Sequence, residues 1–249
     1  MRITGGEFGG RNLKVPKTDA IRPTQDRVRE ALFNIIQFEV AGSDFLDLFA
    51  GSGAVGLEAL SRGAKSVTFV ERERRHLAVL KENLGSLGSI GSKGSIGALG
   101  SIGSIGSLGS LESLGSSRVD AGSSRVEVGS SRVGRWTARP SSTLNDTTVV
   151  AADAYRWLAT YSGPGFSIGF ADPPYALGEE KGYASVLATL AERGVIRAGG
   201  LFIAEMTAVQ KAEETPGWEL VRDRTYGKTR LCLWRRLSSD GSRPNEAKS

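Results

Sequence analysis

The stretch Phe45-Leu-Asp-Leu-Phe-Ala-Gly-Ser-Gly-Ala-Val-Gly56 carries a short apolar run through a glycine turn into a helical pattern. Glycines at such a turn allow a sharp reversal and let main chain come close to a ligand at the helix N-terminus. Gly51, Gly53 and Gly56 match the G-x-G-x-x-G spacing of dinucleotide-binding turns, and Glu71 lies 20 residues beyond Gly51, where a ribose-binding acid is expected. A nicotinamide dehydrogenase is therefore one reading. Asp47, four residues before Gly51, weighs against it. A carboxylate there sits poorly with a pyrophosphate and suits a cationic amino-acid head group. S-adenosylmethionine carries an ammonium, a sulfonium and a ribose without phosphate.

Working outward, strands and helices alternate. Strands are predicted at residues 44–48, 66–70, 147–151, 166–171, 200–205, 219–223 and 229–235, and helices at 55–62, 74–84, 154–161 and 183–193. This order predicts an α/β, Rossmann-like fold: a mostly parallel seven-stranded sheet, helices on both faces, and an antiparallel edge hairpin turning at Tyr226-Gly-Lys228. Residues 1–43 read as an N-terminal extension, a hairpin-like stretch followed by a helix at 24–37. Residues 44–237 read as the main domain and 238–249 as a disordered polar tail. From 85 to 146 Gly-Ser-Ile and Gly-Ser-Leu triplets give way to three Ser-Ser-Arg-Val copies. Units so short and glycine-rich cannot offset the entropy of ordering them, so this stretch is expected to be a flexible insertion.

A net charge of +5 and an isoelectric point near 9.5 suit a polyanionic partner. The single cysteine, Cys232, excludes an intrachain disulfide framework and lies in the apolar run Leu231-Cys-Leu-Trp234, as a packed strand thiol would. With no signal-like segment, membrane-length apolar run or metal-ligand spacing, a soluble, cytoplasmic, metal-free protein is expected. His76, amid Arg72, Arg74 and Arg75, reads as a surface residue.

Asp172-Pro-Pro-Tyr175 follows the apolar run 166–171. An acid, two prolines and an aromatic ring at a strand's carboxyl end form a clamp for a planar amine. Asp172 accepts N–H bonds, Pro173 offers a carbonyl, Pro174 stiffens the turn and Tyr175 supplies a stacking face. This D-P-P-Y run resembles the signature of methyltransferases acting on exocyclic amines of nucleic-acid bases. The D-x-x-x-G-x-G run resembles the first motif of class I methyltransferases. That resemblance implies S-adenosylmethionine as cofactor, held by Asp47, by the loop Ala50, Gly51, Ser52 and Gly53, by Glu71 on the ribose, and by Asp153 with Ala154 on the adenine. A helix N-cap is the competing role for Asp153.

Read whole, the chain resembles the RsmD-type enzymes. The resemblance rests on Arg2-Ile-Thr-Gly-Gly6, Gly10-Arg-Asn-Leu-Lys14, the discriminating block Arg22-Pro-Thr-Gln-Asp-Arg-Val-Arg-Glu-Ala-Leu-Phe-Asn34, the two motifs above and Tyr226-Gly227. It implies methylation of the N2 amine of a guanine in 16S ribosomal RNA, of the guanine-966 type, by a monomer acting during small-subunit assembly. Arg11, Lys14, Arg22, Arg27 and Arg29 are the candidate phosphate contacts; Thr24 reads as the cap of the first helix. The alternatives are an N6-adenine methyltransferase on DNA or other RNA, and a non-catalytic S-adenosylmethionine-binding assembly factor.

Overall fold

The computed structural model describes residues 1–16, 23–91, 135–138, 146–173 and 175–238. Within them the predicted strands form β1 (Asp44–Leu48), β2 (Ser66–Glu71), β4 (Asp146–Ala151), β5 (Phe166–Ala171), β6 (Ile196–Thr207), β7 (Trp218–Tyr226) and β8 (Thr229–Arg236). An eighth, short strand, β3 (Arg135–Ala138), pairs antiparallel to β4. The sheet order is β3-β4-β2-β1-β5-β6-β8-β7. β4, β2, β1, β5 and β6 run parallel, and β6-β8-β7 closes the sheet with antiparallel pairs. β1 lies between β2 and β5, so the chain winds outward from it in both directions. A crevice opens at the carboxyl ends of strands on either side of such a switch point.

Every residue of β5 is buried, as expected of a parallel strand covered on both faces. Alternation then divides the apolar residues between two cores. Phe45, Val67, Phe69, Ile168, Phe170 and Ile203 face one side, where α1 (Pro23–Ile35), α3 (Ala54–Ser61) and α4 (Arg74–Gly91) pack with Leu32, Leu57 and Leu80. Leu46, Leu48, Val70, Phe202, Ala204 and Trp234 face the other, covered by α5 (Ala154–Thr160) and α6 (Tyr175–Glu192) with Leu158, Leu187 and Leu190. A four-residue helix, α2 (Gln37–Val40), joins α1 to the strand before the site.

Several boundaries differ from the sequence expectation: α6 begins at Tyr175 rather than residue 183, β6 spans Ile196–Thr207 rather than 200–205, and β7 reaches Tyr226 rather than residue 223. α4 continues to Gly91, beyond residue 84, because Leu87 extends its Leu77, Leu80 and Leu84 stripe into the core at helical spacing. The strand Arg135–Ala138 also falls in the stretch read as insertion. The remainder of that stretch, and residues 239–249 of the tail, lie outside the described residues.

The N-terminal segment is less separate than the sequence suggests. Its ends pair through an Arg2–Asn12 bridge, and Ile3, Phe8 and Leu13 enter the same core as α1 and α3. Its polar anchor is Glu58 on α3, a fully buried carboxylate. Thr4 donates its N–H at 2.7 Å and its hydroxyl at 2.8 Å, Arg62 donates at 2.8 Å, and Arg29 of α1 lies 3.4 Å away. Ser61 adds to the anchor, its carbonyl accepting from Glu7 N–H at 2.7 Å and its hydroxyl from Phe8 N–H at 2.9 Å. Glu58→Ala is expected to strip Thr4, Arg29 and Arg62 of the buried carboxylate they share and to lower unfolding free energy by about 3–5 kcal/mol in urea titrations.

Candidate active site

Parallel strands deliver their carboxyl ends to one edge of the sheet, and acids occupy that edge on four neighbouring strands. Glu71 ends β2, Asp47 is the penultimate residue of β1, Asp172 follows β5, and Glu205 lies near the end of β6. Ala171 is in register with Ala204, so Asp172 and Glu205 are next to one another across the ladder. Alternation from Phe45, Phe69, Phe170 and Ile203 puts all four acids on the α1–α3–α4 side.

Asp47 is 1% exposed and accepts the Gly56 N–H at 2.9 Å, pinning the first turn of α3 beneath the glycine loop. Gly53, at φ +83°, starts that helix in a conformation that suits glycine, and a Cβ there would lie 2.3 Å from the Leu80 side chain. Gly56 is required by space: a Cβ would lie 2.3 Å from the Phe69 ring. Glu71 accepts the Gly51 N–H at 2.8 Å through Oε2, and the N–H groups of Arg72 at 2.9 Å and Glu73 at 2.8 Å through Oε1. The loop is thus shaped by the two carboxylates assigned to the cofactor. The residue between them, Phe49, adopts φ 59°, a left-handed conformation costly for an aromatic residue, and its ring packs edge-on to Tyr155.

Burial pushes the Asp47 carboxyl up to about 7; the Gly56 N–H opposes this and the charges of Glu71 and Asp172 add to it. Burial also pushes Glu205 up to about 8, with Asp172 adding and Arg29 opposing. A cation entering this crevice would be favoured by the crowded acids and would draw them into their ionised forms. Glu205 is a site residue that the sequence reading missed. Its signal was an acid at the predicted end of the strand beside the D-P-P-Y strand.

Asp172 is partly buried and Pro173 buried. Pro174 lies outside the described residues; Tyr175 opens α6, but its side chain is outside them too. Ala50 is buried, its N–H bonded to the Val70 carbonyl at 3.1 Å. Asp153 acts as the cap that competed with its ligand role: Oδ1 accepts the Arg156 N–H at 3.1 Å and Oδ2 lies 3.5 Å from Arg72 Nη1. Ala154 begins the capped helix. His76 is partly buried rather than on the open surface, with Nδ1 3.8 Å from Glu71 Oε1. Cys232 is fully buried and burial pushes its thiol up to about 12, as expected of a packed strand residue.

The basic candidates separate. Lys14 is exposed and paired with Glu82 at 2.8 Å, and Arg27 is exposed. Arg11 is partly buried, its guanidinium 4.9 Å from the Phe8 ring centre. Arg29 corrects the expectation of a phosphate contact: it is 4% exposed and bound to Asp26, Glu58 and the Arg2 carbonyl. Its charge is consumed in joining α1 to α3 and the N-terminal segment. Arg22 and the side chain of Thr24 lie outside the described residues. Among the described residues no His, Cys, Asp and Glu group could hold a metal ion, and no helix is long and apolar enough to cross a membrane.

The profile of a family described as conserved hypothetical protein 95 matches residues 1–96 and 131–235. The unmatched residues 97–130 fall inside the repeat stretch, and the match includes the end of α4 and β3. Ribosomal RNA small subunit methyltransferase D of Escherichia coli is 49% identical over 87 residues, 35% of this chain and 44% of that protein. Putative rRNA methyltransferase YlbH of Bacillus subtilis is 45% identical over 87 residues, 35% of this chain and 47% of that protein. In these alignments the chain spans less than half the length of the curated relatives it matches. The solved structure of putative methyltransferase yhhF from Escherichia coli superposes with a TM-score of 0.65 at 28% identity, covering 95% of this chain and 98% of that one.

Because the folded state holds Asp47 protonated to about 7, far above its ordinary 3.8, its contribution to stability is present at low pH and is lost as pH rises between those values. Asp47→Asn is therefore expected to gain stability relative to wild type from pH 5 to about pH 7, by roughly 2–3 kcal/mol, and to hold that gain to pH 8. Urea denaturation of both proteins at each pH checks this; a constant difference would contradict it.

Proposed function

We propose, from the premise that the chain belongs to the family described as conserved hypothetical protein 95 and has the class I methyltransferase fold, that it methylates RNA with S-adenosylmethionine as donor. The finer reading is transfer to the exocyclic N2 of a guanine in 16S ribosomal RNA during small-subunit assembly, by a cytoplasmic monomer. The observation that carries the reading is the row of acids at the ends of β2, β1 and β5, with Asp172 and Pro173 opening beside the glycine loop. The resemblance to RsmD-type enzymes and the names of the curated relatives support RNA as the substrate.

In this reading Asp47, Glu71 and the loop from Ala50 to Gly53 hold S-adenosylmethionine, which when bound supplies an electrophilic methyl group. Asp153 and Ala154 lie at the adenine end. Guanine N2 is a weak nucleophile because its lone pair is delocalised into the ring. Asp172 accepts from guanine N1–H and N2–H, the Pro173 carbonyl accepts a hydrogen bond from the second N2–H, and Tyr175 stacks the splayed base; the surplus proton of methylated N2 passes to the Asp172 carboxylate or to solvent. These contacts draw electron density onto N2 and aim its lone pair, so catalysis rests on positioning and preorganised electrostatics. Lys14, Arg11, Arg22 and Arg27 remain the phosphate contacts, fixing position rather than base identity.

Methyl-labelled S-adenosylmethionine incubated with small subunits lacking base methylation is expected to give N2-methylguanosine with wild type. Asp172→Ala is expected to be slower by at least a hundredfold. Label on adenosine would redirect the target, and no label on subunits or free 16S RNA despite cofactor binding would favour an assembly factor. An ammonium favours ionised Asp47, so affinity for S-adenosylhomocysteine should rise by up to about tenfold per pH unit below about 7 and then flatten. Calorimetry checks this, with Asp47→Asn expected to give a shallower rise than wild type over that range.

A further inference from the structure

Asn83 lies on α4, has no part in the acid row, and is 1% exposed. Its side-chain amide is satisfied entirely by main chain from two distant places. Oδ1 accepts the Lys14 N–H at 2.8 Å, while Nδ2 donates to the Lys14 carbonyl at 3.0 Å and to the Ser52 carbonyl at 2.9 Å. One planar group therefore grips the N-terminal segment in both directions and, with its remaining proton, the glycine loop. Ser52 sits between Gly51, whose N–H is held by Glu71, and Gly53, whose N–H is held by the Ala50 carbonyl at 2.7 Å. The Lys14 ammonium is paired with Glu82, the helix neighbour of Asn83.

Because the amide is planar and buried, a shift of the Ser52 carbonyl cannot be followed without disturbing the bonds to Lys14, and burial keeps bulk solvent from replacing them. We infer that Asn83 is a positioning residue that couples the cofactor loop to the basic N-terminal segment, so that cofactor and RNA each tighten the binding of the other. This rests on the reading of the crevice as a cofactor site and of the segment as an RNA-facing surface. Linkage requires the effect to be reciprocal.

The test is the affinity for S-adenosylhomocysteine, by calorimetry, with and without saturating RNA. The RNA is unmethylated small subunits or in vitro transcribed 16S RNA, whichever wild type binds. Wild type is expected to bind S-adenosylhomocysteine about fivefold or more tightly with RNA present. In Asn83→Ala that ratio is expected to fall close to one. Asn83→Asp keeps the acceptor for Lys14 N–H but loses both donations, so its ratio is expected to fall as well, in a side chain of nearly unchanged size. A variant that merely loosened the fold would weaken binding in both conditions and leave the ratio intact. Hydrogen exchange gives a second readout that needs no RNA: S-adenosylhomocysteine should protect the Lys14 amide in wild type and not in Asn83→Asp. A ratio near one in wild type, or an unchanged ratio in both variants, overturns the coupling. Failure of wild type to bind S-adenosylhomocysteine or RNA at all is a separate result, which overturns the functional reading and the inference with it.

Discussion

Five neighbouring strands run the same way, and everything at the site follows from that. Parallel alignment sends their carboxyl ends to one edge, where main-chain groups run out of ladder partners and the chain must turn into helices or loops. Acids at that edge find donors in the turns: Asp47 holds Gly56, and Glu71 holds Gly51, Arg72 and Glu73. The same alignment forces the acids close together. Asp47 and Glu205 answer by retaining protons near neutrality, since burial and the neighbouring charges penalise their ionised forms. The edge is thus electrostatically unfinished in a way that a cationic ligand would complete. Electrostatic preorganisation of this kind is set before any substrate arrives.

The N-terminal segment is fixed by a second, fully buried carboxylate. Glu58 sits on the helix that begins at the glycine loop, and its oxygens gather Thr4, Arg29 and Arg62. A charge this deep is tolerable only because cations and N–H donors surround it. The consequence is directional. α1 and the first residues are held to the side of the sheet that the acid row faces, the side that, under the proposed reading, RNA meeting Lys14 or Arg27 would share with Asp172. Arg29 cannot serve in that contact because it is part of the fastening.

α4 ends at Gly91, and the next described element, β3, lies at the sheet edge beside β4. That edge is separated from β5 by β4, β2 and β1. The family match, interrupted at 97–130, confines the departure from the family pattern to a narrower stretch than composition alone implies. Composition overestimated it because Gly and Ser begin within α4, where Leu84 and Leu87 still reach the core.

By itself the sequence determined the alternation of strands and helices, seven of the eight strands of the sheet and the order of acids along the chain. These are local signals: period-two and period-3.6 apolar patterns, and motifs whose residues are consecutive. The D-P-P-Y run, the glycine loop and the acids after successive strands could therefore be read directly. Only the tertiary structure decided which side chains are spent on holding the fold. Arg29 reads as a free cation until Glu58, 29 residues on, is packed against it. Asp153 offers both a cap and a ligand role in the sequence, and only the fold shows its Oδ1 bonded to the Arg156 amide. Asn83 has no motif at all, and its partners lie 69 and 31 residues away. Such contacts are fixed by which helix faces which strand and by the need to satisfy every buried polar group, a condition that belongs to the packed chain and not to any window of its sequence.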